Sequence, residues 1–502
     1  MGISRREAVK RLGAAGAVSL FGGCAPAVHR RRPPNIIFMM TDDQTVGQMS
    51  CYGHPYLRTP NMDRLAEEGA RFDTCFCTNS LCAPSRASVL TGCYSNINGI
   101  TGNSEQKGVE ERLNPALPTF PELLREAGYY TALIGKYHIR HDPVGFDEWR
   151  ILPGQGAYFD PEFIENGMVT QNSGYVTDVI TDKTLAFLDR HDMNQPFCLV
   201  YQHKGPHRPF NPAPRHRDLW NNVEFPYPAS FNDDYATRRV AKLAEDMRIE
   251  VSLRGDYDDM PEGLSDEEVK RWIYQRFVKD SCRAVVSIDE NLGRVLDILD
   301  KKGIAEDTMI VYTSDNGFFL GEHGWYDKRF MYEPSLRIPL LIRYPRMEVK
   351  GIAVEEMVLN VDFAPTILDI AGIEAPETMH GRSLRPLIAG EHPGDWRSSV
   401  YYAYYEDSWR SYRNLNPEDL NDQTYTQYFT AHRVGPHRGV RTDRYKLIEY
   451  YTEGDYWELF DLTDDPNELV NLYGTNRYDG ITTRLKTELR GLQSLYGLSD
   501  DA

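Results

Sequence analysis

Four apolar runs limit what this chain can become. Ile36-Ile37-Phe38-Met39-Met40, Tyr130-Thr131-Ala132-Leu133-Ile134-Gly135, Phe197-Cys198-Leu199-Val200-Tyr201 and Thr308-Met309-Ile310-Val311-Tyr312 are short, nearly continuous in apolar character and separated by helix-length segments. Strands without polar alternation are buried on both faces, the condition of a parallel sheet covered by helices. The covering helices are legible too. Thr59-Pro60 opens one that closes at Gly69, residues 118–127 and 176–190 read as two more, and Ser265-Asp266-Glu267-Glu268 caps a long one reaching Asp300. The alternation predicts an α/β fold built on a large, doubly wound, mostly parallel sheet.

Past residue 390 the pattern changes. Residues 400–404, 439–451 and 457–462 alternate like antiparallel strands, and 481–495 has the period of an amphipathic helix. We therefore expect an α/β domain over residues 33–390 and a smaller α+β domain with an antiparallel sheet over 391–502. At 502 residues and 41% hydrophobic composition, the chain is long enough to give each a core. Residues 211–263, rich in Pro, aromatics and charge, read as an insertion over one face.

Each apolar run ends in polar groups. The first leads into Asp42-Asp43, the second into Lys136-Tyr137-His138, the third into Gln202-His203-Lys204-Gly205-Pro206-His207, the fourth into Asp315-Asn316. A solvated turn explains any one of these; four at the same edge of one sheet fit the rule that open α/β sheets bind ligands beyond their carboxyl ends. Asp42, Asp43, Asp315 and Asn316 offer only oxygen, which suits one hard divalent cation, Ca²⁺ in preference to Mg²⁺. The net charge of −18 argues against nucleic acid as a partner. A bound cation would supply the local attraction for an anion that the whole chain lacks.

Cys82-Ala83-Pro84-Ser85-Arg86, followed by Leu90-Thr91-Gly92, sets a thiol before a helix that Pro84 is expected to open, with Arg86 half a turn inside. This string resembles the signature of the type I sulfatases. The resemblance implies an alkaline-phosphatase-like fold and a Cys82 oxidised to formylglycine by a dedicated maturase. The hydrated aldehyde, held by the metal together with Asp42, Asp43, Asp315 and Asn316, then attacks the sulfur of a sulfate ester and later collapses to release sulfate. Arg86, Lys136 and Lys328 would stabilise the transferring group, His207 would protonate the leaving alcohol, and His138 would take the proton during collapse. His203 is a second histidine for that acid role, or else a substrate contact. Tyr137 stands where the family commonly has tryptophan.

Residues 321–332 resemble exported bacterial sulfatases that remove the 6-O-sulfate of N-acetylglucosamine from glycosaminoglycan fragments. A sulfated carbohydrate is the expected substrate, with Arg329, His437 and Arg438 as contacts and Trp409, Arg410, Tyr412, Arg413, His432 and Arg433 suited to gripping sugar. The competing readings are a sulfatase for another ester such as iduronate 2-O-sulfate, a phosphatase or phosphonate monoester hydrolase, and a non-catalytic glycan-binding protein in which Cys82 stays a thiol.

The first 32 residues read as an address. Ser4-Arg5-Arg6 before the Gly/Ala-rich stretch 12–23 resembles a twin-arginine export signal, which implies a periplasmic or cell-surface protein. Cys24 is then either a lipidated anchor, and the sole route to a membrane, or part of a segment cleaved near Ala25-Pro26-Ala27. No later run is long and apolar enough to span a bilayer. The eight cysteines contain no zinc-like pair of pairs.

Overall fold

The computed structural model describes residues 32–103, 111–406 and 432–498. The export segment with Cys24, and Trp409, Arg410, Tyr412 and Arg413, lie outside the described residues. The four apolar runs become four neighbouring parallel strands in a ten-stranded sheet, in the order Thr308–Ser314, Asn35–Asp42, Phe197–Pro206, Tyr130–Lys136. Their two-sided burial is visible in the central strand. Ile37 and Met39 enter one core, with the helices Pro60–Glu67, Val176–Arg190 and Asp266–Lys302. Ile36, Phe38 and Met40 enter the other, with Cys82–Thr91, Phe120–Glu126 and Phe363–Ala371.

Parallel pairing stops toward the edges. Leu340–Arg343 runs antiparallel between Thr308–Ser314 and Ala70–Phe72, and Glu162–Glu165 with Met168–Gln171 adds an antiparallel hairpin beyond Glu148–Leu152. A hairpin needs no crossover helix, so these strands extend the sheet without a second covering layer.

The second sheet is antiparallel and four-stranded, Ser399–Tyr404, His437–Thr442, Tyr445–Tyr450 and Tyr456–Asp461 in that order, with the helix Asp479–Leu495 against it. The stretch expected as one strand over 439–451 is a hairpin, turning between Thr442 and Tyr445. This sheet shares a core with Phe319, Trp325, Phe330 and Tyr332, from the loop after Thr308–Ser314. Buried polar contacts pin that loop. Tyr332 donates to Glu458 at 2.8 Å, Lys446 reaches Glu333 at 2.9 Å and Glu468 at 2.6 Å, and the Tyr402 hydroxyl donates to the Arg329 carbonyl at 2.6 Å.

One expected sugar contact, His437, belongs to this support instead. His437 is fully buried among Phe330, Tyr402, Tyr404 and Tyr450; its Nδ1 donates to the Gly435 carbonyl at 2.9 Å and its Nε2 accepts from the Met331 amide at 3.1 Å. Arg438, on the opposite face by strand alternation, pairs with Glu449 at 2.6 Å and lies over the Tyr451 ring.

The His437 contacts fix a neutral imidazole, because a second ring proton would destroy the acceptor that Met331 uses. Burial pushes its pKa down to about 4. An unfolded histidine takes its proton near 6.5, so this contribution to stability is complete above that pH and is lost as pH falls from 6.5 toward 4, on the order of 3 kcal/mol. Thermal melts from pH 7 to 4.5 should therefore show a shallower acid decline for His437→Gln than for the parent chain. Parallel declines would show that His437 is not what titrates.

Candidate active site

The sheet's carboxyl edge gathers the polar strand ends into one buried cluster. Gly135 makes part of this closeness possible. It has φ +114°, and a Cβ there would lie 1.7 Å from the Gln202 carbonyl oxygen of the neighbouring strand, so only glycine lets the chain pass and deliver Lys136. Asp43 and His138, with φ of 66° and 60°, turn sharply just after their strands, which aims Asp42 and Asp43, and Lys136 and His138, from short stretches of backbone.

Asp42 lies between two cations and the thiol. It accepts from Lys136 Nζ, its Oδ1 is 3.3 Å from Cys82 Sγ, and Arg86 Nη2 is 3.9 Å away. Asp43 Oδ1 accepts from Lys328 Nζ at 2.5 Å and Asn316 Nδ2 at 2.7 Å, and its Oδ2 is 3.6 Å from His207 Nε2. Asp315 Oδ1 accepts from the Asp43 and Asn316 amides, and its Oδ2 from Arg86 Nε and Nη2 at 3.1 and 2.8 Å.

Cys82 is the first residue of its helix, which begins two residues earlier than the position of Pro84 suggests. The proline still falls in the first turn, where its missing N–H costs nothing. The thiol faces Lys328 Nζ at 3.5 Å as well as Asp42. Arg86 turns its guanidinium to the carboxylates beside Cys82. It joins three strand ends, through Asp315, the Lys136 carbonyl at 2.6 Å and Gln202 Oε1 at 2.9 Å.

The electrostatics of this cluster ask for more positive charge. Asp42, Asp43 and Asp315 are all buried and offer oxygens within 4.8 Å of one another. Burial opposes the charge on Asp42, but Lys136, His207, Arg86 and Lys328 outweigh it and hold its carboxyl well below the usual range. Asp43 is pushed up to about 7 by burial and by Asp42 and Asp315, against Lys328. Burial and Asp42 also raise Asp315. Asn316 supplies a further sign, since its Oδ1 is buried with no hydrogen-bond partner while its Nδ2 is satisfied. An orphaned oxygen aimed among crowded carboxylates fits a hard divalent cation, and so does the all-oxygen donor set.

The two expected proton carriers lie at this cluster. His207 Nδ1 donates to the Arg208 carbonyl at 2.7 Å, which leaves Nε2 toward Asp43, and a His207 ring nitrogen lies within 4.8 Å of both Asp42 and Cys82 ligand atoms. Burial, then Lys136, depresses its pKa well below the ordinary value. His138 has a buried, unpartnered Nδ1, and the same two causes lower its pKa.

His203 is elsewhere. The strand Phe197–Pro206 continues five residues past its apolar run, so strand alternation decides which side chains face the site. Gln202 reaches Arg86, and Lys204, on the same face, lies over the Tyr158 ring and in the field of Lys136, Asp42 and Asp43. His203 falls on the other face, against Tyr201 with ring centroids 4.5 Å apart, with neither nitrogen bonded. Gln202 and Lys204 are the site residues the sequence reading passed over, and parity along an extended strand was the available signal. Gln155 is a third, accepting from Lys136 at 2.6 Å out of a loop with no motif. Arg329, beside Lys328, has its guanidinium held by Asp327 at 3.4 Å and Glu406 at 3.6 Å, with His432 bound to the same Asp327. Arg433 pairs with Asp246.

Comparison with known proteins places this arrangement. The Sulfatase family profile matches residues 34–373, and that of the C-terminal region of N-sulphoglucosamine sulphohydrolase matches 408–494. The N-acetylglucosamine-6-O-sulfatase of Bacteroides thetaiotaomicron is 42% identical over 96% of this chain and 90% of its own length. Human N-acetylglucosamine-6-sulfatase is 28% identical over 92% of this chain and 84% of its own. A solved structure in complex with its substrate, D-glucosamine-2-N,6-O-disulfate, matches with a TM-score of 0.83 at 42% identity, over 93% of this chain and 99% of the other. A phosphonate monoester hydrolase of Agrobacterium radiobacter shares the fold at 20% identity, with a TM-score of 0.73 over 92% and 96% of the two chains.

Proposed function

The chain belongs to the sulfatase family and is a sulfuric ester hydrolase; from that premise we propose that it removes the 6-O-sulfate of N-acetylglucosamine in glycosaminoglycan fragments. The observation that carries the substrate is the 42% identity, over nearly the whole of both chains, to an N-acetylglucosamine-6-O-sulfatase. Cys82 is the precursor of formylglycine, made by a maturase, and its Sγ stands where the aldehyde hydrate's oxygens will be. That group supplies the oxygen nucleophile toward sulfur. Asp42, Asp43, Asp315 and Asn316 Oδ1 would hold one Ca²⁺, which supplies charge neutralisation and Lewis acidity toward the sulfate oxygens.

The remaining residues position charge and protons. Lys136 and Arg86 fix Asp42 and Asp315, so that the ligand oxygens meet without repelling one another apart. Lys328, between Asp43 and Cys82, places an ammonium where the ester oxygens arrive, fixed in advance of the reaction. His207 presents Nε2 to the leaving alcohol. Its low proton affinity rises when an anionic ester binds, and it then gives that proton up readily. His138, with its free Nδ1, accepts the proton released when sulfate departs.

Export fits the same reading. The paired Arg5-Arg6 supports twin-arginine transport of a folded, already modified protein to the periplasm or cell surface, with Cys24 either lipidated or removed. Among the described residues no helix is long and apolar enough to cross a membrane.

A panel of 6-O-, 2-O-, 3-O- and N-sulfated saccharides with a phosphonate monoester tests the substrate. The 6-O-sulfated glucosamine should exceed every other compound in kcat/KM by at least about 100-fold. Cleavage confined to iduronate 2-O-sulfate, or to the phosphonate, would overturn the proposal.

A further inference from the structure

A cavity of about 770 Å³ lies between the helix Asp266–Lys302 and the segments 209–221 and 256–259, within the size range of small-ligand sites. No residue of the catalytic cluster lines it, but three of its lining residues connect to the backbone around His207. Pro209 follows His207 by two residues. Asp256 binds the guanidinium of Arg208, with Nε at 2.7 Å and Nη2 at 2.6 Å. Phe159 follows Tyr158, whose hydroxyl donates to the His207 carbonyl at 2.6 Å and whose ring lies beneath Lys204.

The lining has the chemistry of an anionic-sugar site. Phe159, 38% exposed, joins Tyr257 and Trp272, which meet edge-to-face with centroids 5.8 Å apart; such rings offer apolar faces to the C–H faces of a sugar. The Tyr257 hydroxyl is buried without a partner. Most wall carboxylates are already neutralised, Asp256 by Arg208, Asp259 by Arg276, and Asp280 by Arg276 and Arg283; Asp258 is exposed and forms no ion pair among the described residues. Among the described residues Arg217 and Lys279 form no ion pair, and Lys279 only approaches the Phe225 ring at 5.8 Å. These two cations are free for a ligand anion.

We propose that this cavity is a subsite for the sugar next to the one being desulfated, so that the protein selects oligosaccharides whose neighbouring unit carries a carboxylate or sulfate. The inference rests on the sulfatase reading above and extends it from the bond cleaved to the chain that bears it. The rings stack on the neighbouring sugar, and Arg217 and Lys279 hold its anion. Because the subsite makes no contact with the reacting sulfate, its binding energy appears in KM for longer substrates.

The test is the double variant Arg217→Ala/Lys279→Ala, assayed on 6-O-sulfated N-acetylglucosamine and on a glycosaminoglycan tetrasaccharide bearing the same ester. The parent chain should favour the tetrasaccharide by about tenfold or more in kcat/KM; the variant should lose that advantage through KM and keep its monosaccharide activity within about twofold. Unchanged tetrasaccharide kinetics, or equal losses on both substrates, would refute the subsite. A second readout avoids turnover altogether, the titration of Cys82→Ala protein with the tetrasaccharide by calorimetry, with and without the double substitution. Binding weakened by the substitution upholds the subsite even if no ester is cleaved, in which case the proposed activity alone fails. Equal binding, or none, sinks the subsite.

Discussion

Cys82→Ala is expected to lower kcat on 6-O-sulfated N-acetylglucosamine by at least about 10⁴-fold while leaving the protein folded. The scale follows from the residue's place. In the proposed reaction Cys82, at the junction of Asp42 and Lys328, supplies the nucleophile, and neither neighbour is able to replace an attacking oxygen. The structural loss is small by comparison. Alanine removes one sulfur from a buried helix terminus, with its weak hydrogen bonds to Asp42 and Lys328, a cost of about 1–2 kcal/mol. In a chain of this length that moves the melting midpoint by only a few degrees. Activity retained near the parent level would remove Cys82 from the reaction, and a lost fold would make the kinetic result a stability effect.

Asp42→Asn is expected to cost at least about 10³-fold in activity and to release the bound metal. Asp42 is a candidate ligand and the buried counter-charge of Lys136, so the variant also leaves an ammonium unpaired, at a cost of about 3–5 kcal/mol. Asn316→Ala separates the two effects. It removes the orphaned oxygen without unpairing any cation, and should weaken metal binding by about 10- to 100-fold, with activity restored as Ca²⁺ is added. Metal analysis of the folded proteins and a Ca²⁺ titration of activity measure both. An Asn316→Ala protein with the parent's metal content and Ca²⁺ dependence would contradict the ligand assignment.

How far the sequence could be read follows from where each signal lies. The central strands were legible because burial on two faces leaves continuous apolar runs, and their polar ends marked the site because a parallel sheet brings its carboxyl ends together. The antiparallel additions Glu162–Glu165 and Met168–Gln171 carry too many polar residues to stand out as apolar runs. His203 was misplaced for want of a strand boundary. Once Phe197–Pro206 is known to run through the polar residues, parity assigns Gln202 and Lys204 to the cluster and sends His203 away from it. His437 looked like a sugar contact because basic and aromatic residues crowd that stretch. The partner that gives His437 its role is the Met331 amide, 106 positions earlier, and only the tertiary fold brings the two together.

The most direct test of the account is mass spectrometry of the tryptic peptide spanning residues 72–86, from protein co-expressed with a maturase and turning over substrate. It holds Cys75, Cys77 and Cys82, so two cysteines serve as internal controls. The expected result is an aldehyde or its hydrate at position 82, with Cys75 and Cys77 still thiols. An unmodified thiol at position 82 in the active preparation would contradict it.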